Sequence, residues 1–376
     1  MIPISTPDLS GRERAYLLEA FDSGWVSSLG PFIDRAEAAL RDVSGCTYAS
    51  VTSNGTTALH LALLAAGVGA GDEVIIPSLS YVATLNAVLY VGATPVIVDV
   101  DSETWCIDPH AVERAVTERT SAILAVDLYG NPADYVELRR IADAAGLILV
   151  ADAAESIGAA LASRPAAQFA HVSTFSFFGN KIVTSGEGGA VVTDDTIVNQ
   201  RVRQLRNQGN NPSVRYQHDV LGYNYRMTNL SASILTAQLE RYDDIRARRR
   251  EVIDRYVSRL SGLPQFSLQA ATPGATAAPW MFTVEVVGAV GADQRAIMEE
   301  MSQRGIETRP TFRPQESMPY LSTPHRHETP HAHRISRSGI SLPTFPTLGL
   351  DSVDVIAQHL VDVVDQRLGK RVKQAD

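Results

Sequence analysis

The chain has 376 residues, with 45% hydrophobic and 20% charged, which suits one large or two ordinary soluble globular domains. A formal net charge of −9 argues against nucleic acid or an anionic membrane as partner, since both require a positive face. No run reaches the ~18 apolar residues of a membrane span. The opening "MIPISTPDLSGRERAY" has no basic-then-apolar signal pattern, and Cys46 and Cys106 are too few for a disulfide framework or a zinc ligand set. A cytoplasmic chain with two reduced thiols is expected.

Residues 56–67, "TTALHLALLAAG", are helix formers that stop at Gly67. "DEVIIP" (72–77) predicts a strand closed by proline, followed by a helix over 82–91 and a strand in "TPVIVDV" (94–100). "SAILAVDLYG" (121–130) predicts another strand. "PADYVELRRIADAAG" predicts a helix with proline early and glycine late. "LILVADAAE" predicts a strand running into Asp152; "HVSTFSF" and "GGAVVTD" predict two more around Lys181. These strands are continuous apolar runs separated by helices, the pattern of a mainly parallel sheet covered on both faces.

From Asn229 to Leu260 the pattern predicts one long charged helix, whose "RARRR" (246–250) reads as a solvated face. "LPQFSLQAATPGATAAP" (263–279) reads as a linker. A strand in "WMFTVEVV", a helix near 292–304 and a final helix near 351–368 predict a smaller α+β domain.

Two segments imitate binding motifs. "GVGAG" (67–71) lacks the GxGxxG spacing and follows a helix, so it reads as a helix stop. "PHRHETPHAHR" holds His325, His327, His331 and His333. Imidazoles are good metal ligands, but the segment is polar and proline-interrupted and reads as a surface loop, with no metal expected.

Lys181 poses a sharper question. A lysine between the aromatic "TFSFFGN" and the glycine-rich "TSGEGG" costs free energy unless it is paired or chemically used. Other features fall where open α/β sheets place ligands. Ser53, Asn54, Gly55 and Thr56 sit just before a helix whose free N-terminal N–H groups suit an anion. Asp152, with Glu155 three residues on, ends a buried strand. Ser176 precedes the lysine, and Tyr81 could stack on a flat ring. Together they suggest a flat heteroaromatic ligand with a phosphate and an aldehyde. Pyridoxal 5'-phosphate fits: lysine forms a Schiff base, a carboxylate keeps the ring nitrogen protonated, and hydroxyls with a helix N-terminus hold the phosphate.

The wording "DSGWVSSLGPFIDRAE", "SNGTTALHLAL", "DAAESIGA", "TFSFFGNKIVTSGEGG" and "LGYNYRMTNLSASI" resembles the DegT/DnrJ/EryC1/StrS family of nucleotide-sugar aminotransferases over nearly the whole chain. "FFGNK…TSGEGG" and "GWVSS" are most similar to its GDP-perosamine synthase branch, which aminates C4 of GDP-4-keto-6-deoxymannose with L-glutamate. The resemblance implies an α/β fold of type I, aspartate aminotransferase-like. It has a mainly parallel seven-stranded sheet in a large domain (1–260) and a smaller C-terminal α+β domain (261–376). By matching position it implies Lys181 as the internal aldimine and proton carrier, Asp152 at the ring nitrogen, Glu155 near the phenolic oxygen and Tyr81 on the ring. Gly55, Thr56 and Ser176 would hold the phosphate, Asn224 would reach the neighbouring subunit's cofactor in a homodimer, and pyridoxamine phosphate would carry the amine between half-reactions. Trp25, Ser28, Arg309 and Arg313 are the candidates for the sugar nucleotide. Two departures are visible: Ala151 stands where many members carry an acid, and "RPTFRPQESMPY" lacks the histidine of "YPxH". Lys181 argues against the related dehydratases, in which histidine replaces it, and the complete set argues against a cofactor-binding regulator. C3 against C4 amination, and the nucleotide, stay open.

Overall fold

The computed structural model describes residues 1–321 and 327–375. Two helices, α1 (Glu13–Asp22) and α2 (Pro31–Ser44), lead into an alternation of strands and helices. These are β1 (Tyr48–Thr52), α3 (Gly55–Ala65), β2 (Glu73–Pro77), α4 (Ala83–Tyr90), β3 (Thr94–Val98), α5 (Pro109–Ala115), β4 (Thr120–Val126), α6 (Tyr135–Ala145) and β5 (Ile148–Asp152). A short antiparallel pair, β6 (Ala160–Leu161) and β7 (Arg164–Pro165), precedes β8 (Val172–Ser176), β9 (Gly189–Thr193) and α7 (Thr196–Leu205).

The long strands make a seven-stranded sheet in the order β1-β9-β8-β5-β4-β2-β3. Its members are parallel except β9, which runs against both neighbours. The apolar runs follow from the pleat: Ile75, Ile123, Leu149 and Phe175 enter the core on one face, while Val74, Leu124, Val150 and Val172 enter the core on the other. With both faces buried, alternation of polar and apolar residues has no place.

After α8 (Asn229–Glu240) and α9 (Tyr242–Leu260) comes a second, four-stranded sheet. It comprises β10 (Phe266–Leu268), β12 (Thr283–Val286), β13 (Arg309–Pro310) and β14 (Gly339–Ser341) in the order β10-β12-β14-β13; β11 (Ala275–Thr276) pairs back onto β6 instead. Helices α10 (Gly291–Gln303), α11 (Pro330–Ser338) and α12 (Leu350–Ala375) complete this part. Its core takes Val252, Tyr256 and Leu260 from the end of α9, whereas Tyr242 and Ile245 at the start of α9 belong to the large core.

Four expectations change. The helix over 229–260 is two helices, broken at Arg241 (φ −111°), whose guanidinium is drawn to Asp8 and Asp244. The first of them is largely buried rather than charged. Within "RARRR" the face is not all solvated: Arg249 is fully buried, and Arg250 is half-buried and donates to the carbonyl of Ala277. The segment 263–279 is no free linker; it holds β10 and β11, and the Gln269 amide donates to the carbonyls of Thr104 and Leu128. Residues Pro330–Ser338 of the histidine-rich run form a helix, because Asp99 accepts the N–H groups of His331 and Ala332 and so caps its start from far away in sequence. His325 lies outside the described residues. Among the described residues no group of three His, Cys, Asp or Glu side chains is placed to hold a metal ion, and no helix is long and apolar enough to cross a membrane.

Candidate active site

The parallel arrangement brings the C-terminal ends of β1, β4, β5 and β8 to one edge of the sheet. A cavity of about 420 Å³ opens there. From the large sheet it is lined by Gly55, Thr56, Tyr81, Asp152, Glu155, Ser176 and Lys181, and from the smaller part by Trp280, Arg309, Phe312 and Ser341.

Lys181 Nζ lies 3.6 Å from Glu155 Oε1 and 4.1 Å from the centre of the Trp280 ring. Glu155 is buried, and its other oxygen accepts the N–H of Tyr129 at 2.8 Å. Burial pushes its carboxyl up to about 7, opposed by Lys181 and by that N–H. Asp152, at the last position of β5, accepts the Thr84 hydroxyl at 2.8 Å and the Ala154 N–H at 3.3 Å. Burial raises this carboxyl too, against Thr84, Ala154 and Lys181. Burial thus disfavours the charged form of both carboxyls, with the Lys181 amine opposing it.

The opposite wall suits an anion. Asn54 caps α3, its side chain accepting the Thr57 N–H at 2.9 Å and its carbonyl the Ala58 N–H at 3.1 Å, so the N–H groups of Gly55 and Thr56 come before the first donors that have a helix partner. Gly55 is required by space: a Cβ there would lie 2.9 Å from Cβ of Ser176. Tyr81 keeps its ring exposed at the cavity wall, 5.7 Å from that of Phe312. Phe312 stacks in turn on Tyr129 at 5.5 Å, and Trp280 also stacks on Tyr129, at 6.0 Å.

Arg309 lines the cavity on β13, with Glu307 Oε1 3.4 Å from its guanidinium. Trp25, Ser28, Arg313 and Asn224 do not line it: Trp25, Arg313 and Asn224 are exposed, and Ser28 is half-buried.

Comparison with known proteins identifies this arrangement. Residues 7–361 match the profile of the DegT/DnrJ/EryC1/StrS aminotransferase family. The chain belongs to that family. A GDP-perosamine synthase of Escherichia coli O157:H7 is 40% identical over 359 residues, covering 96% of this chain and 97% of that protein. Spr1654 of Streptococcus pneumoniae, described as a sugar aminotransferase, superposes in its PLP form with a TM-score of 0.91 at 27% identity, covering 97% of this chain and 99% of that one. DesV of S. venezuelae superposes with a TM-score of 0.89 at 33% identity, covering 97% and 98%.

As a member of the DegT/DnrJ/EryC1/StrS family the chain is a pyridoxal-phosphate-dependent aminotransferase of fold type I. The residues present fit that cofactor. The cavity has free helix N–H groups and the Ser176 hydroxyl on one side, a buried carboxylate in need of a cation, a partly exposed aromatic wall, and one amine.

Sequence reasoning missed Thr84, Tyr129, Trp280 and Phe312. Thr84 carries a faint signal, lying three residues beyond Tyr81 at a helix start. Tyr129 carries one only in hindsight: it is a non-glycine residue at φ +55° in the turn "DLYGNP". Trp280 and Phe312 arrive from a distant part of the chain and carry none.

Proposed function

We propose that the chain transfers the amino group of L-glutamate to a nucleotide-linked 4-keto-6-deoxysugar, and that the sugar is GDP-4-keto-6-deoxymannose, giving GDP-perosamine. The observation that carries the sugar is the near full-length 40% identity to a GDP-perosamine synthase. The observation that carries the chemistry is the Lys181 amine 3.6 Å from the buried Glu155, in a cavity that the buried Asp152 also lines.

Pyridoxal phosphate, when bound, supplies an aldehyde that accepts an amine and a protonated ring that accepts electrons. The residues divide the remaining work. Lys181 Nζ would hold the cofactor and, when free, would carry the proton at the substrate carbon. Asp152 would keep a proton on the ring nitrogen, a cation that would offset the burial cost of its carboxylate. Thr84 and the Ala154 N–H aim Asp152. Glu155 would lie toward the phenolic oxygen, Tyr81 would stack on the ring, and Gly55, Thr56 and Ser176 would receive the phosphate. Arg309 on the cavity wall would receive the sugar nucleotide, with Arg313, Trp25 and Ser28, which lie outside the wall, as the further candidates.

A homodimer completes this reading. Asn224 is exposed and away from its own cavity, as expected of a residue lent to the cofactor phosphate of a second copy. The enzyme then works in the cytoplasm, where sugar nucleotides are made.

Incubation of the purified protein with glutamate and a panel of GDP- and dTDP-keto sugars, read by mass spectrometry, tests the substrate. The expected product is an aminated GDP sugar. Turnover of a dTDP sugar with none of GDP-4-keto-6-deoxymannose would overturn the assignment.

A further inference from the structure

Arg249 is 1% exposed, yet it has no carboxylate partner among the described residues. Elsewhere the buried Arg206 meets Glu37 at 2.9 Å, and even the half-buried Arg241 meets Asp8 at 3.0 Å. Arg249 instead donates to three backbone carbonyls, those of Trp280 (2.8 Å), Thr344 (3.1 Å) and Lys181 (3.1 Å). Its Nε–H has no acceptor. Burial draws the guanidinium down to about 10, which still leaves it a cation at neutral pH.

An unpaired buried cation is expensive, and apolar side chains of similar volume usually serve packing better. The three carbonyls show what this one does. Lys181 carries the reactive amine. Trp280 places its ring 4.1 Å from that amine, and its indole N–H donates to the Asn180 carbonyl at 2.9 Å in the same turn. Thr344 follows β14 of the smaller sheet. One planar fork therefore holds both backbone sides of the amine and ties them to the smaller part.

The helix that carries Arg249 extends the pattern. Tyr242, Arg249 and Tyr256 recur at a spacing of seven, one stripe of α9. All three point polar heads at backbone carbonyls. The Tyr242 hydroxyl donates to Ile157, just beyond Glu155, and the Tyr256 hydroxyl to Pro343, both at 3.0 Å. The stripe thus touches the carboxylate loop, the lysine turn and the smaller sheet in succession.

We propose that Arg249 is a positioning residue for the amine of Lys181, and that α9 acts as a gauge setting the lysine turn against the smaller part of the molecule. This rests on the reading of Lys181 as the residue that holds the cofactor. That reading fails on its own if Lys181→Ala keeps the visible band of the wild type.

The test compares holoenzymes of Arg249→Met, Arg249→Lys and Tyr256→Phe. The last removes a carbonyl contact of the same stripe that touches no cavity residue. Melting temperature, visible circular dichroism per bound cofactor, kcat and the KM for glutamate are measured for each. Misplacing a reacting group by about an ångström lowers the rate about 100-fold. Arg249→Met is expected to lose kcat on that scale with KM within about threefold, and to change the visible dichroism per cofactor, whereas Tyr256→Phe changes melting alone. Arg249→Lys, with the charge but not the fork, is expected to recover only part of kcat. If Arg249→Met does not fold, the lysine variant carries the comparison. Melting losses with kcat and dichroism at wild-type values, in whichever Arg249 variant folds, would overturn the proposal.

Discussion

At the scale of single residues, the cavity buries carboxyls that resist ionising. Glu155, buried and pushed up to about 7, binds a proton more readily in the folded chain than in the unfolded one. Its contribution to apoprotein stability is therefore complete below pH 4.5 and is lost as pH rises through 7. Glu155→Gln removes the penalty and still accepts the Tyr129 N–H. Denaturant titration of the apoprotein should find the variant more stable than wild type at pH 8 by about 3 kcal/mol, with little difference at pH 4. Equal stability at pH 8 would mean that Lys181 already balances Glu155. The sequence revealed that Asp152 and Glu155 lie at a strand end. It did not reveal how they are aimed, because the aiming atoms belong to Thr84, Ala154 and the left-handed Tyr129, whose roles depend on where the strands lie.

At the scale of elements, α9 shows both what periodicity reveals and what it hides. Its apolar and charged pattern predicts a helix correctly. The break at Arg241 is invisible in it, because arginine is a good helix former and only the pull of Asp8 from near the N-terminus turns the chain there. The same pattern makes Arg249 look like surface. Only its contacts with segments 31, 68 and 95 residues away make it buried. The N-terminal end of the stripe has its own constraint. Gly158 stands at φ +74°, and an added Cβ would overlap the Tyr242 hydroxyl. Gly158→Ala should thus cost about 3 kcal/mol or more, the range of overpacking combined with backbone strain. Chemical denaturation gives the number, and Tyr242→Phe in the same background should recover only a minor part, since the ring carbon also lies close. A cost below 1 kcal/mol would mean that α9 is free to shift. Strand β1, "YASVT", went unread because five residues with two small ones give too little apolar signal to separate a strand from a loop.

At the scale of the whole molecule, the cavity exists only because two sheets meet. The large sheet supplies the lysine, the carboxylates and the start of α3; the smaller part supplies Trp280, Arg309 and Phe312. The large sheet was legible in sequence, since a parallel sheet with two buried faces writes itself as apolar runs between helices. The smaller part was legible only in outline. Its strands are of two to four residues, and the 263–279 segment is fixed by contacts with Thr104 and Leu128 rather than by its own pattern. The central claim is that this joint cavity performs transamination through one amine. Visible absorbance of the purified holoprotein during titration with L-glutamate tests it most directly, with wild type and Lys181→Ala side by side. The account predicts a visible band in wild type that glutamate bleaches with release of 2-oxoglutarate, and neither that band nor turnover in Lys181→Ala. A Lys181→Ala protein that still converts glutamate to 2-oxoglutarate in the presence of a keto sugar would contradict it.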